Sequence, residues 1–143
     1  LEQDLNPLPQ DVLDTIQNHS AIISVGYQQD VRPYIAVSDV LVFPSYREGF
    51  PNVPMQCGAF KKALILSNIN GCDEIVEDQK TGLLVETKSE EDLYEAMAYL
   101  VSHPNKRAEF GEAVYQHIRS SYDQNEVWNA IREEYKIKLS EAV

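Results

Sequence analysis

The sequence has few cysteines and a marked shortage of basic residues. Only Cys57 and Cys72 occur in 143 residues. They are too far apart for a CxxC pair and have no histidine cluster beside them, which argues against a metal site. Two free thiols fit a reducing compartment. Lys and Arg number 12 against 23 Asp and Glu, which gives a formal net charge of −11. This balance argues against a nucleic-acid partner and against an anionic membrane surface.

Long apolar runs, a signal peptide, internal repeats and low-complexity segments are also missing from the sequence. We therefore expect no direct insertion into a membrane. A chain of 143 residues fits one domain and can bury a real core. The three histidines have no partners at catalytic spacing, and we assign them no role.

Short apolar runs alternate with helical patterns along the first half of the chain. Four runs are too short for helices and predict strands: residues 21–25, 40–43, 63–66 and 83–85. Helical spacing lies between them, at residues 9–18, 31–38 and 52–60. This order predicts an α/β fold, with a Rossmann-like parallel sheet of about four strands and helices on both faces.

From residue 89 onward the sequence predicts only helices. Ser89 is followed by three acidic residues, as at a helix N-terminus. Further along, Trp128, Ile131 and Tyr135 form an apolar stripe of the kind that usually packs into a core. We therefore expect a single domain over residues 1–143, with βα repeats over residues 9–85 and C-terminal helices over residues 89–143.

The central stretch, residues 39–56, combines a buried strand, a sharp turn and the start of a helix. Pro44 ends the strand, while Gly49 and Pro51 favour a turn after Glu48. Asn52 is a suitable N-cap for the helix that follows. Because open α/β sheets bind ligands at the carboxyl ends of their strands, and helix N-termini attract anions, this stretch predicts a phosphate-binding site.

In this stretch the chain resembles the GT-B glycosyltransferases, specifically the large retaining group that includes many bacterial capsule and lipopolysaccharide sugar transferases. E-G-F-P stands at residues 48–51, and the E-x7-E pattern has Gln56 in place of its second Glu. The likeness extends to further motifs: V-G-Y at residues 25–27, S-D-V-L-V-F-P-S at 38–45, G-C-D-E-I-V-E-D at 71–78 and T-G-L-L-V at 81–85.

The resemblance implies a role for each residue of the site. Glu48 is expected to be the catalytic residue, which accepts hydrogen bonds from hydroxyls of the donor sugar and favours positive charge at its anomeric carbon. Gln56 occupies the position that binds the ribose, where its carbonyl oxygen can still accept a hydrogen bond, though a weaker one. The expected donor-binding residues are Gly26, Tyr27, Ser45, Gly49, Phe50, Pro51, Asn52, Val53 and Gln56.

Several of these residues have an alternative role. Ser45 either bonds a phosphate or closes the turn. Tyr27 either stacks on the base or packs on a neighbouring helix. Asn52 can cap the helix and contact the ligand at once. The stripe around Trp128 could face a further domain instead of a core, since the last helix of this family crosses over to one.

The resemblance also implies a nucleotide-sugar donor, most often a UDP-sugar, with no metal and no other cofactor. The acceptor, a glycan or a lipid-linked glycan, would bind through an N-terminal domain that this chain does not contain. Arg32, Arg47, Lys61 and Lys62 fall outside the family's basic-pair positions, so the chain alone is predicted to be inactive. The expected location is the cytoplasm, with the periphery of the inner membrane as an alternative for the full-length protein.

A rival reading is a non-catalytic α/β module that binds a nucleotide or regulates a partner. The substitution at Gln56, the acidic balance and the missing basic pair all favour it. Both readings stay open at the level of the sequence.

Overall fold

The computed structural model describes residues 8–141, and the chain divides into two compact units, Leu1–Val31 and Arg32–Val143. The first unit contains helix α1 (Gln10–Asn18). The second contains the other elements: α2 (Arg32–Val37), β1 (Val40–Phe43), α3 (Asn52–Ala59), β2 (Ala63–Ser67), β3 (Leu83–Val85), α4 (Glu90–Ser102), α5 (Pro104–Ser121) and α6 (Gln124–Glu141). The predicted α/β class with a helical C-terminal stretch is confirmed.

The second unit is built on a parallel sheet in the order β1-β2-β3. Val40 pairs with Ala63 at one end of the sheet, and Ser67 pairs with Val85 at the other. Every residue of β2 is buried. This explains why its sequence is an apolar run without alternation, since a central parallel strand is covered on both faces.

Two hydrophobic clusters lie on opposite faces of the sheet, because successive side chains of a strand point in opposite directions. Leu64 and Leu66 pack on one face, with residues of α3 and α5. Ala63 and Ile65 pack on the other, with α4 and with Phe110 of α5. Helices therefore cover both faces, as the sequence predicted.

The strand predicted at residues 21–25 is wrong. Residues 21–25 form no strand, and the side chain of Ile23 is 84% exposed. A strand needs a neighbour to accept its backbone hydrogen bonds, and no ladder involving these residues occurs in the described part of the chain. The described sheet therefore has three strands instead of four.

The predicted core role of the last apolar stripe is also wrong. Over residues 124–140, α6 has no buried side chain, and Trp128 is 50% exposed. The helical spacing predicted the helix correctly. Such spacing indicates an apolar face of the helix, but it does not indicate what packs against that face. Within residues 8–141, no helix is both long enough and apolar enough to cross a membrane.

Candidate donor-binding site

The loop after β1 holds Glu48 at the carboxyl end of the sheet. Ser45 begins this loop, and its backbone N–H donates to the carbonyl of Phe43, the last residue of β1. The Ser45 hydroxyl donates a hydrogen bond of 2.7 Å to Oε1 of Glu48. Ser45 thus orients the carboxylate, and it closes the turn through this side-chain bond.

The loop after β2 packs directly against the Glu48 loop. Gly71 has a φ of +85°, a conformation that favours glycine, and a Cβ atom on it would lie 2.1 Å from the carbonyl oxygen of Gly49. The next residue, Cys72, is fully buried. Burial raises the pKa of its thiol to about 11, and the charges of Glu48 and Asp73 add to the rise. The electrostatic effect of Glu48 on Cys72 follows from this close packing of the two loops.

An aromatic cluster at the C-terminal end of α5 supports the same loop. The ring of Phe50 lies 5.1 Å from the ring of Tyr122, measured between centroids. The Tyr122 hydroxyl donates to the carbonyl oxygen of Glu74 at 2.8 Å, and a ring nitrogen of His117 lies 3.0 Å from the same oxygen. Phe50 is therefore held by a side chain more than seventy positions away in the sequence.

Helix α3 starts at Asn52, and its N-cap lies one residue earlier than the sequence predicted. Pro51 occupies the N-cap position, with φ −78° and ψ 122°, and no side chain caps the helix. The N-cap role of Asn52 is therefore wrong. Pro51 takes the extended conformation that a cap requires, which leaves Asn52 as the first helical residue. Pro54 lies in the first turn, as predicted.

The uncapped start of α3 leaves backbone N–H groups without intrahelical partners. Asn52 and Val53 are exposed there, while Pro51 is buried. Gln56 is also exposed, one turn along the helix from Asn52. This end of α3 can accept an anion through its N–H groups, and the Gln56 amide can bond a neutral hydroxyl.

Two of the basic residues lie at the opposite end of the strands from Glu48, near the amino ends of β1 and β2. Lys61 Nζ lies 2.7 Å from a carboxylate oxygen of Glu112, and Lys62 donates to the carbonyl oxygen of Ala36. Both lysines directly precede β2, so neither faces the Glu48 loop. Their placement agrees with the expectation that they do not serve the diphosphate.

Gly26 and Tyr27 belong to the first unit, whereas the other predicted site residues belong to the second. Gly26 has a φ of +61°, and Tyr27 is 93% exposed. Their role toward a base therefore stays a prediction. Within residues 8–141, no group of three or more His, Cys, Asp or Glu side chains is arranged to hold a metal ion.

Sequence reasoning missed the structural parts played by Gly71 and Tyr122. The signal for Gly71 was present, since a glycine that closes an Asn-Ile-Asn-Gly turn commonly has a positive φ. Nothing in the local sequence connects Tyr122 with Phe50. That contact arises only when α5 packs across the sheet.

Comparison with known proteins identifies the family of the chain. Residues 13–117 match the family described as glycosyl transferases group 1. The chain belongs to that family. This confirms the resemblance read from the E-G-F-P loop and its neighbouring motifs, and it makes the chain part of an enzyme family of glycosyltransferases.

Two curated members show the range of relatives. The chain is 31% identical over 108 residues to an N,N'-diacetylbacillosaminyl-diphospho-undecaprenol alpha-1,3-N-acetylgalactosaminyltransferase of Campylobacter jejuni, which covers 76% of the chain and 28% of the relative. It is 24% identical over 132 residues to the capsular polysaccharide biosynthesis glycosyltransferase CapM of Staphylococcus aureus, which covers 92% of the chain and 34% of CapM. The chain thus spans about a third or less of the length of these relatives.

A solved structure shows the same fold. Alr3699/HepE of Anabaena, crystallised in complex with UDP, superposes with a TM-score of 0.82 at 17% identity, over 89% of the chain and 36% of that protein. At this identity the likeness concerns the fold alone. It agrees with the GT-B expectation for the group 1 family.

Proposed function

We propose that the chain is the donor-binding part of a retaining glycosyltransferase that acts in polysaccharide biosynthesis. The observation that carries the proposal is the placement of Glu48, bonded by Ser45 at 2.7 Å in the loop that leads into the uncapped start of α3. A carboxylate and a set of free N–H groups are the two features that a sugar diphosphate requires. Both lie at the carboxyl end of the sheet, where open α/β folds bind ligands.

In this proposal each group has a defined task. The Glu48 carboxylate accepts hydrogen bonds from hydroxyls of the donor sugar and stabilises the positive charge that develops at the anomeric carbon. The N–H groups at the start of α3 hold the leaving diphosphate. The Gln56 carbonyl oxygen accepts a hydrogen bond from the ribose.

The donor in this proposal is a UDP-sugar, and the acceptor is a glycan or a lipid-linked glycan. The HepE structure supports the donor, because that fold neighbour binds UDP. The Campylobacter relative supports the acceptor, because its name specifies a diphospho-undecaprenol substrate. The acceptor-binding site and further cations for the diphosphate belong to the rest of a longer protein in this proposal, so the 143-residue chain alone is inactive.

A second candidate function is a non-catalytic nucleotide-binding module, and Gln56 is the observation that favours it. An amide at the ribose position forms a neutral hydrogen bond, which is roughly half as strong as a charge-assisted one. Binding then becomes weaker although the Glu48 site is intact. Sugar transfer by the full-length protein distinguishes the two functions.

Backbone amide shifts of the isotopically labelled chain, titrated with UDP, GDP and ADP, test the donor site. We expect one nucleotide to shift Gly49, Phe50, Asn52, Val53 and Gln56 together in a saturable way. Gln56→Glu should tighten that binding by about fivefold, the gain expected when a neutral hydrogen bond becomes charge-assisted. A titration in which no amide of residues 48–56 responds to any nucleotide contradicts the proposal.

The catalytic role needs the full-length protein. Glu48→Gln keeps the shape of the side chain and removes its charge. We expect the variant to bind UDP as the parent does and to lose transfer activity by about a hundredfold or more, the range seen when one stabilising group is removed. Transfer that proceeds unchanged in Glu48→Gln removes Glu48 from the mechanism.

A further inference from the structure

A cavity that does not include Glu48 or the start of α3 opens at the carboxyl ends of the three strands. It has a volume of about 200 Å³, and its lining includes Tyr46, Ser67, Glu86, Lys88, Ser89 and Leu93. We call it the Ser67 cavity. It lies on the α4 side of the sheet, because Ser89 caps α4 and Leu93 belongs to that helix.

Ser67 is the decisive residue, because the residue is almost completely buried while its hydroxyl has no hydrogen-bond partner. It ends β2, and only 2% of its surface is exposed. Within residues 8–141, its side chain forms no hydrogen bond. No completely buried side-chain oxygen in that range lacks a partner, so the small exposed area of Ser67 includes the hydroxyl. That hydroxyl therefore faces the cavity and is available to a ligand.

The rim of the cavity carries an aromatic ring and a strained lysine. Tyr46 is 65% exposed, and Nζ of Lys88 lies 5.7 Å from its ring centroid. Lys88 has a φ of +63°, a conformation that costs a residue with a side chain about 1–2 kcal/mol.

We propose that the Ser67 cavity binds the ring of a neutral pyranose. Its volume lies below the roughly 300–1,000 Å³ of pockets for drug-sized ligands, so it fits a single ring. The lining contains one ammonium group, that of Lys88, and two carboxylates, those of Glu86 and Glu90, which leaves no excess positive charge for a phosphate. A sugar ring matches the mixed lining, because its hydroxyls can pair with Ser67, Ser89 and the carboxylates.

The apolar part of the lining fits the same ligand. A pyranose has a face of C–H groups, and the negatively polarised face of the Tyr46 ring attracts such a face. Leu93 and Val85 offer apolar surface within the cavity. The inference rests on these residues and does not depend on the role of Glu48.

Titration of the labelled 143-residue chain with methyl α-glucopyranoside tests the proposal. Saturable shifts are expected at the amides of Ser67, Glu86, Lys88 and Ser89. Ser67→Ala, which removes only the hydroxyl, should weaken the binding by about fivefold. Leu93→Trp, which fills the cavity, should abolish it. Ser120→Ala changes an exposed serine of α5 and should bind like the parent.

The competing ligands have defined outcomes. Inorganic phosphate, glucuronate and UDP are each titrated alone, and none should produce these shifts at concentrations where the neutral sugar saturates. Phosphate or UDP that shifts the same amides overturns the assignment to a neutral pyranose. Binding of the sugar that is unaffected by both Ser67→Ala and Leu93→Trp, with both variants folded by circular dichroism, overturns the site. A UDP response confined to residues 48–56 concerns only the donor site.

Discussion

The hydroxyl of Ser45 and the carboxylate of Glu48 lie 2.7 Å apart, three positions from each other along one loop. This hydrogen bond restricts the rotamers of an otherwise partly exposed acid. In the role proposed for Glu48 the carboxylate benefits from such preorganisation, because no reorientation is then needed as positive charge develops.

Replacing Ser45 with Ala should lower kcat/KM of the full-length enzyme by about tenfold. The estimate follows from the 1.5–3 kcal/mol of a hydrogen bond to a charged group, taken at its lower end for a partly exposed pair. Ser45→Thr retains the hydroxyl and serves as the matched control. Equal losses in the Ala and Thr variants mean that packing at position 45, and not the hydrogen bond, supports activity.

Gly71→Ala should be strongly destabilising, by about 2–5 kcal/mol, because the new Cβ would collide with the carbonyl oxygen of Gly49 at 2.1 Å. Gly49→Ala is the matched control, since a Cβ there meets no atom within 4 Å. It should change the free energy of unfolding by less than about 1 kcal/mol. Urea denaturation of the two variants measures the difference. Similar values for both would contradict the close packing of the two loops.

The order of strands and helices was predictable because local signals agree with the fold. The apolar run of β2 and the N-cap at Ser89, whose hydroxyl accepts from the N–H of Asp92 at 3.2 Å, are readable without any tertiary information. The run at residues 21–25 looks the same in the sequence as β1. It forms no strand, because a strand also needs a neighbouring strand to pair with, and the sequence of the run does not reveal whether one is present.

The site was predictable in part for the same reason. Glu48, Gly49 and Pro51 carry a motif, and the loop and helix that follow are built locally. The packing of Gly71 on Gly49, the contact of Phe50 with Tyr122 and the unpartnered hydroxyl of Ser67 depend on which surfaces the fold brings together. No spacing rule within one segment contains that information.

Stability should fall between pH 9 and 11 because of Cys72. Its thiol has a pKa near 9.0 when exposed and about 11 in the folded chain, chiefly because of burial. In this window the unfolded state loses the proton and the folded state keeps it, so unfolding is favoured as the pH rises. A difference of about two pKa units corresponds to a loss of about 3 kcal/mol once the thiol is ionised in both states. This loss is absent below about pH 9, where the Cys72 thiol keeps its proton in the folded and the unfolded state.

Urea denaturation at pH 8 and pH 10.5 checks this prediction, with Cys72→Ala as the comparison. The variant loses the thiol, so its stability should decline less between the two values than that of the parent. Cys57 remains in both proteins, and burial raises the pKa of its thiol as well. A parent and a variant with parallel declines would exclude a contribution from Cys72.

The contact between α3 and α5 should show coupling between Gly58 and Ile118. A Cβ on Gly58 would lie 2.4 Å from Cδ1 of Ile118. Gly58→Ala should therefore cost about 1–3 kcal/mol of overpacking, offset in part by the roughly 1 kcal/mol that Ala gains over Gly in a helix.

Ile118→Val removes the Cδ1 atom and by itself should cost about 0.5–1.5 kcal/mol. In the double variant the new Cβ occupies the space that Cδ1 has left, so the two costs should not add. We expect the loss in free energy of unfolding of the double variant to be about 1 kcal/mol smaller than the sum of the two single losses. Urea denaturation of all four proteins measures these values. Strict additivity would show that α5 shifts away from α3 instead of conserving the contact, because a displaced helix relieves the collision whichever residue stands at position 118.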